Sequence, residues 1–289
     1  MFLQQLINGL TLGTIFALIA IGYSMVYGVL FFVNFAHADV MMFGAFFCLT
    51  VLRAGLPLPV AIIVAVAGCA VMGVTIEFIA YRALRGSTRL AAMASALGVS
   101  IVLQILAQLI WKAGTKTIRP LLNYEVTRLA VTENASVTSL QLLTAVVAIS
   151  MMIVLQIFLR RTKLGKALRA TALDRDAAQL MGISTNNVIS ATFAIGSALA
   201  AVGGVLVAIQ YDAIYPTMSL AVGNKAFAAS ILGGIGSIPG AMVGGVLIGV
   251  VESLGAAYIS SQYRDAIAFI VLVLVLLIKP TGIMGKKQN

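Results

Sequence analysis

The sequence predicts an all-α polytopic membrane protein with about eight or nine transmembrane segments, including broken or re-entrant helices, in one domain over residues 1–289. Composition carries the first argument: 61% of residues are hydrophobic, 10% are charged, and the mean hydropathy is +1.06. Soluble domains carry about 25% charged residues. Run length carries the second, because several apolar stretches approach the roughly 20 residues that a helix needs to cross a bilayer. The third is pattern. Helices and closed barrels are the structures that satisfy their backbone in lipid, and these runs are continuous rather than alternating, which selects helices.

The first span runs from about Leu6 to Leu30, with Gly9 and Gly13 at a spacing that permits close helix contact. Asn34, His37 and Asp39 then interrupt the apolar sequence before it resumes through Leu52. The second span is therefore short, and a broken helix of this kind is tolerated only inside a bundle or beside a water-filled cavity. A third span, about Val60 to Ala80, ends in the basic loop 81–89. The fourth covers about Leu90 to Trp111, and a polar connection follows to Ser139, containing Glu125, Glu133 and a glycosylation-like Asn134-Ala-Ser136. The fifth covers about Leu140 to Leu159, and the sixth about Val188 to Gln210. A short seventh, about Leu220 to Leu232, leads into the turn Gly233-Gly-Ile-Gly-Ser-Ile-Pro-Gly240. Gly233, Gly234, Gly236, Gly240 and Gly244 are expected to serve this tight turn and close helix packing. The eighth runs from about Ala241 to Ile259, and the last from about Asp265 until Lys279-Pro280 stop it. Each half holds one broken element, Asn34–Gly44 and Asn224–Gly245, which suggests two related halves with a path between them.

The net charge is +10. In a membrane protein such an excess marks loops kept on the cytoplasmic face, not a nucleic-acid partner. Residues 81–89, 160–175 and 279–289 hold 12 of the 19 Lys and Arg, which places the C-terminus in the cytoplasm. Cys48 and Cys69 lie in apolar runs and read as small buried hydrophobes without a disulfide. No cleavable signal pattern stands at the N-terminus.

No P-loop, metal-ligand set or nucleophile motif occurs, so neither catalysis nor a metal or other cofactor bound by this chain is expected. Four polar residues in apolar surroundings are candidates for lining a translocation path: Asn34, His37, Asp39 and Glu252. Capping of a broken helix weighs more for Asp39. For His37 the path and capping readings stand level, as do path lining and a cross-helix bond for Glu252. Glu77 is expected to pair with the basic loop that follows it, and Lys225 to snorkel to the outer interface.

The longest charged interruption, about residues 160–186, contains Gly165-Lys-Ala-Leu-Arg-Ala through Ala178-Gln-Leu-Met-Gly-Ile183. A short helix is expected from about Asp174 to Met181, capped by Asp174 and ended by Gly182. Ala177, Leu180 and Met181 form an apolar ridge on it. So short a helix is unstable alone in water, so it needs a partner.

Three stretches together carry a family resemblance: Asn34-Phe-Ala-His37 with Gly44, the central 165–183 stretch, and Lys225-Ala-Phe-Ala-Ala-Ser through Pro239-Gly-Ala241. With the ending Lys279-Pro-Thr-Gly-Ile-Met-Gly285, they make the chain resemble the shorter permease subunit of the branched-chain amino acid ABC importers. The resemblance covers essentially the whole chain. It implies a bacterial inner-membrane complex of two permeases, two cytoplasmic ATPase subunits that bind ATP and Mg, and a periplasmic binding protein delivering leucine, isoleucine or valine. Arg169, Asp174, Arg175, Ala177, Ala178, Leu180, Met181 and Gly182 would then form the ATPase-coupling segment. A related permease for short amides or urea, and an ion-coupled secondary transporter using His37, Asp39 or Glu252, are the competing expectations.

Overall fold

The computed structural model describes residues 1–122, 126–132 and 135–285. The proposed Asn134 acceptor, Glu125 and Glu133 lie outside the described residues. Eleven α-helices follow in order among those described: α1 Phe2–Leu30, α2 His37–Arg53, α3 Leu58–Ile76, α4 Arg89–Trp111, α5 Ser139–Arg161, α6 Lys163–Leu173, α7 Arg175–Leu180, α8 Thr185–Tyr211, α9 Met218–Gly233, α10 Ile238–Tyr258 and α11 Arg264–Ile278. Among the described residues seven spans are long and apolar enough to cross a membrane, the last made of α11 together with the 3-10 turn Ser261–Tyr263 before it. The helices α2 and α9, of 17 and 16 residues, are shorter. All nine alternate in direction, so the two ends of the described chain lie on opposite faces. The fold class read from the sequence is the one observed.

The helices divide by what surrounds them. The flanks of α1 and α8 are buried nearly throughout, and both lie in the middle of the bundle. By contrast α4, α5 and α11 turn apolar side chains outward at helical spacing, for example Ile101, Ile105 and Leu109, or Ile149, Ile153 and Ile157. In lipid an outward apolar face needs no cover, so this distribution suits a bundle whose solvent is hydrocarbon. The polar connection after α4 holds a feature the sequence did not suggest, a two-stranded antiparallel hairpin, β1 Arg128–Thr132 with β2 Ala135–Thr138. Its Ser136 N–H donates to Gln4 Oε1 at 2.8 Å, which ties it to the start of α1.

The chain breaks between α1 and α2. Phe31 takes a left-handed conformation (φ 56°), costly for an aromatic residue, and its N–H closes α1 on the Tyr27 carbonyl at 2.8 Å. The segment then turns back into the bundle. His37 sits against Gly22 and packs edge-on to Tyr23, with ring centroids 4.7 Å apart. Gly22 lies eight residues before the end of α1, about 12 Å along the axis. Thus α2 begins inside the membrane.

The second break is a short turn between α9 and α10. Gly234 and Gly236 adopt φ of +106° and +88°, which only glycine takes without strain. Gly233 and Gly240 bring the two backbones together, and a Cβ at Gly244 would run into the Ala229 carbonyl. The C-terminal segment closes this turn, with the N–H groups of Ile283 and Met284 donating to the carbonyls of Leu232 and Gly233, both at 2.9 Å. Overpacking at such a contact costs about 1–3 kcal/mol. Gly244→Leu is therefore expected to lower the melting temperature of the purified protein in detergent, whereas Gly86→Ala, in the open α3–α4 loop, leaves it in place.

Candidate functional site

Three polar groupings stand out from the apolar bundle. The first surrounds the start of α2. Asn34, His37 and Asp39 are all buried. Asn34 Oδ1 accepts from the Tyr81 hydroxyl at 2.7 Å. Asp39 does not cap α2: Ala36 holds the N-cap position, and no side chain bonds there. The Asp39 carboxylate instead accepts from Gln104 Nε2 of α4 at 3.1 Å, and Gln104 also donates to Ser100 at 3.1 Å. The reason is geometric. Asp39 lies in the first turn of α2, where a carboxylate is favoured by the helix dipole, and α4 supplies a donor that a local cap would have left unused. His37 Nε2 is buried without a hydrogen-bond partner. The structure thus gathers Asn34, His37 and Asp39, all buried, around the enclosed N-terminus of α2.

Glu252 falls in a second grouping. Its carboxylate accepts from Lys225 Nζ at 2.9 Å, and Arg264 Nε lies 3.2 Å away. Lys225 Nζ also lies 2.7 Å from Asp265. Lys225 therefore does not snorkel outward. It is 8% exposed and turned into the α9–α10–α11 contact, because Glu252, 0% exposed, is there to receive it. An intramembrane Lys and Glu on neighbouring helices is a signal that sequence inspection could have paired. Breaking a buried ion pair by removing one partner costs about 3 kcal/mol. Lys225→Met is therefore expected to destabilise the protein by about that amount in thermal unfolding, with Lys225→Met/Glu252→Leu recovering most of the loss.

The third grouping is at the face that carries the C-terminus. There α5 ends at Arg161 and α6 folds back, its first turn capped by Thr162, whose Oγ1 accepts from the Gly165 N–H at 3.0 Å. Asp174 caps α7 by accepting from the Ala177 N–H at 2.9 Å. Gly182, at φ +80°, ends it: the Gly182 N–H donates to Gln179 O and the Ile183 N–H to Ala178 O, both at 3.0 Å. These bonds make a Schellman motif. Leu180 and Met181 are 89% and 82% exposed. Ala177 and Arg169 are exposed too, and Arg175 is half-buried. Ala178 is buried, so it faces the protein and not the outward ridge. Arg169 lines a cavity of ≈ 570 Å³ with Arg160, Tyr27, Phe31, Leu173 and Met284.

A bundle of alternating membrane helices, with a polar site at an enclosed helix break and a short apolar helix held out at one face, defines a polytopic membrane permease. Comparison with known proteins narrows the class. Residues 5–276 match the family described as "Branched-chain amino acid transport system / permease component", and the chain belongs to that family. It is 46% identical to the high-affinity branched-chain amino acid transport system permease protein BraD of Pseudomonas aeruginosa, over 99% of this chain and 97% of the relative. It is 42% identical to the corresponding LivH protein of Escherichia coli, over 99% and 96%. Among solved structures it resembles PsaBC from Streptococcus pneumoniae in complex with Fab, with a TM-score of 0.50 and 16% identity, over 99% of this chain and 93% of that one. That likeness concerns the fold alone. A transport permease family is not an enzyme family.

Proposed function

We propose that the chain is one permease subunit of an ATP-driven importer for the branched-chain amino acids leucine, isoleucine and valine. It pairs with a second permease, rests on two cytoplasmic ATPase subunits that bind ATP and Mg, and takes substrate from a periplasmic binding protein. The C-terminal face is then cytoplasmic, in a bacterial inner membrane, with the outward apolar faces of α4, α5 and α11 against lipid. Family membership supports the transport class, and the substrates named for the BraD and LivH relatives support the cargo.

The observation that carries the coupling is α7. Six residues do not hold a helix in water, yet both ends are capped and two large apolar side chains point away from the protein. Such a ridge fits a groove on a partner, with Leu180 and Met181 as anchors and Arg169 and Arg175 at the rim. Closure of the ATPase pair on ATP would press on α7 and tilt the attached spans. At mid-membrane, Asn34, His37 and Asp39 offer polar contacts on an otherwise apolar path. Glu252 stays with its ion pairs.

Two measurements test this reading. Leu180→Asp is expected to reduce ATPase co-purification at least about thirtyfold, the effect of losing one central anchor, while membrane insertion is retained; unchanged co-purification overturns the docking of α7. His37→Ala is expected to lower leucine uptake by the assembled complex without loss of subunits, and uptake at the wild-type rate removes His37 from the path. A competition series with isoleucine, valine, acetamide and urea in the same assay separates the proposed cargo from short amides.

A further inference from the structure

The coupling face and the polar site at the start of α2 are joined by two sets of side-chain hydrogen bonds connected through short stretches of backbone, an arrangement that neither role requires. It starts where α7 hands over to α8. Gly182 ends α7 and Thr185 begins α8, so little slack separates them. Asn186 and Ser190 stand one turn apart on α8, and both face the end of α3. Ser190 donates its hydroxyl to Glu77 at 2.6 Å, and Arg85 bridges Glu77 and Asn186. Glu77 is 1% exposed. Arg175 of α7 acts on Arg85 as a nearby like charge.

Glu77 opens a π-helical turn, Glu77–Tyr81, in which the Arg82 N–H donates to the Glu77 carbonyl five residues back. Tyr81 closes that turn. Its ring lies between Phe32, in the break before α2, and Phe193 of α8, with centroids 5.3 and 5.5 Å away. Its hydroxyl donates to Asn34. A π turn holds one residue more than α geometry accommodates, and such turns concentrate at functional positions. Reverting to α geometry would turn Tyr81 by about 100° relative to Glu77, since one residue subtends that angle. A return to α geometry would give the element a second arrangement, and each end touches a different site, which is what carrying a signal between them requires.

We infer that the Glu77–Tyr81 π turn is the positioning relay between α7 and the start of α2, with Glu77 reading the position of α8 and Tyr81 setting that of Asn34. Movement of α7 carries Asn186 and Ser190 with it. Their hold on Glu77 and Arg85 shifts the turn, and Tyr81 then draws on the segment that leads to His37. Tyr81 and Glu77 are positioning residues: they act through Asn34 and not on the cargo. This inference rests on α7 being the ATPase contact.

The test uses the full complex in proteoliposomes and reads leucine imported per ATP hydrolysed. Tyr81→Phe removes one hydroxyl and keeps the ring. It is expected to lower that ratio about two- to tenfold, the range for one buried hydrogen bond, with subunits co-purifying in the wild-type ratio and the melting temperature lowered by no more than about 2–4 °C. Ser190→Ala, at the other end of the relay, is expected to do the same. Asn34→Leu combined with Tyr81→Phe should cost no more than the worse single variant, because both cut the same link. A purely structural role predicts lost assembly or fully additive effects at an unchanged ratio, and either result overturns the relay. The Leu180→Asp experiment separates the two failures. If it releases the ATPase while Tyr81→Phe and Ser190→Ala keep the wild-type ratio, the relay alone falls. If Leu180→Asp leaves the ATPase bound, the docking of α7 falls, and the relay falls with it.

Discussion

A backbone break in the middle of a membrane leaves peptide groups that lipid cannot satisfy, so protein must enclose it. The turn Phe31–Ala36 sets this condition for the whole chain. Its own bonds meet part of it: the His37 N–H donates to Asn34 O, and the Asp39 and Val40 N–H groups donate to Ala36 O, each at 3.1 Å. The rest is met by exclusion. The long helices α1 and α8 are spent on burial, and α3 closes in through the Cys69 thiol, which donates to Val40 O at 3.4 Å. The central position of α1 and α8 follows from the break they surround. The peripheral helices are free to be plainly apolar because they carry no such duty.

Enclosure also explains the polar inventory. Side chains that would be costly alone in hydrocarbon are paired across elements: Asp39 with Gln104, Asn34 with Tyr81, Glu77 with Ser190 and Glu252 with Lys225. Each pair joins separate elements and so specifies which helices are neighbours, a task that lipid-facing leucines and isoleucines perform poorly because lipid competes with them equally well. The ion pairs add specificity more than net stability, since desolvation offsets much of their attraction. His37 Nε2 differs from these groups in being buried beside the start of α2 without a hydrogen-bond partner.

Function on this scaffold is a matter of separation and connection. The exposed apolar ridge of α7 and the enclosed polar group at the start of α2 lie apart along α3 and α8. Capping is what makes the exposed part possible. With Asp174 and Gly182 satisfying its ends, α7 keeps its shape while Leu180 and Met181 face outward. Ala178, buried on the opposite side, holds α7 against the protein.

The residue order alone determined the membrane spans and α7 with its two ends. Apolar runs, basic loops, the Asp174 cap and the Gly182 stop are local signals, written within a few residues of where they act, and so α7 and the spans were legible without coordinates. The short α2 was legible for the same reason, because Asn34, His37 and Asp39 interrupt the run itself. What the tertiary structure decided was who meets whom. Asp39 reads as a cap from its own neighbours, yet its partner Gln104 is 65 positions away. Lys225 reads as an interfacial side chain, yet Glu252, 27 positions on, draws it inward. The α6 helix and the hairpin after α4 were hidden likewise. A charge in a membrane takes the partner that packing brings within reach, and packing is a property of the assembled helices.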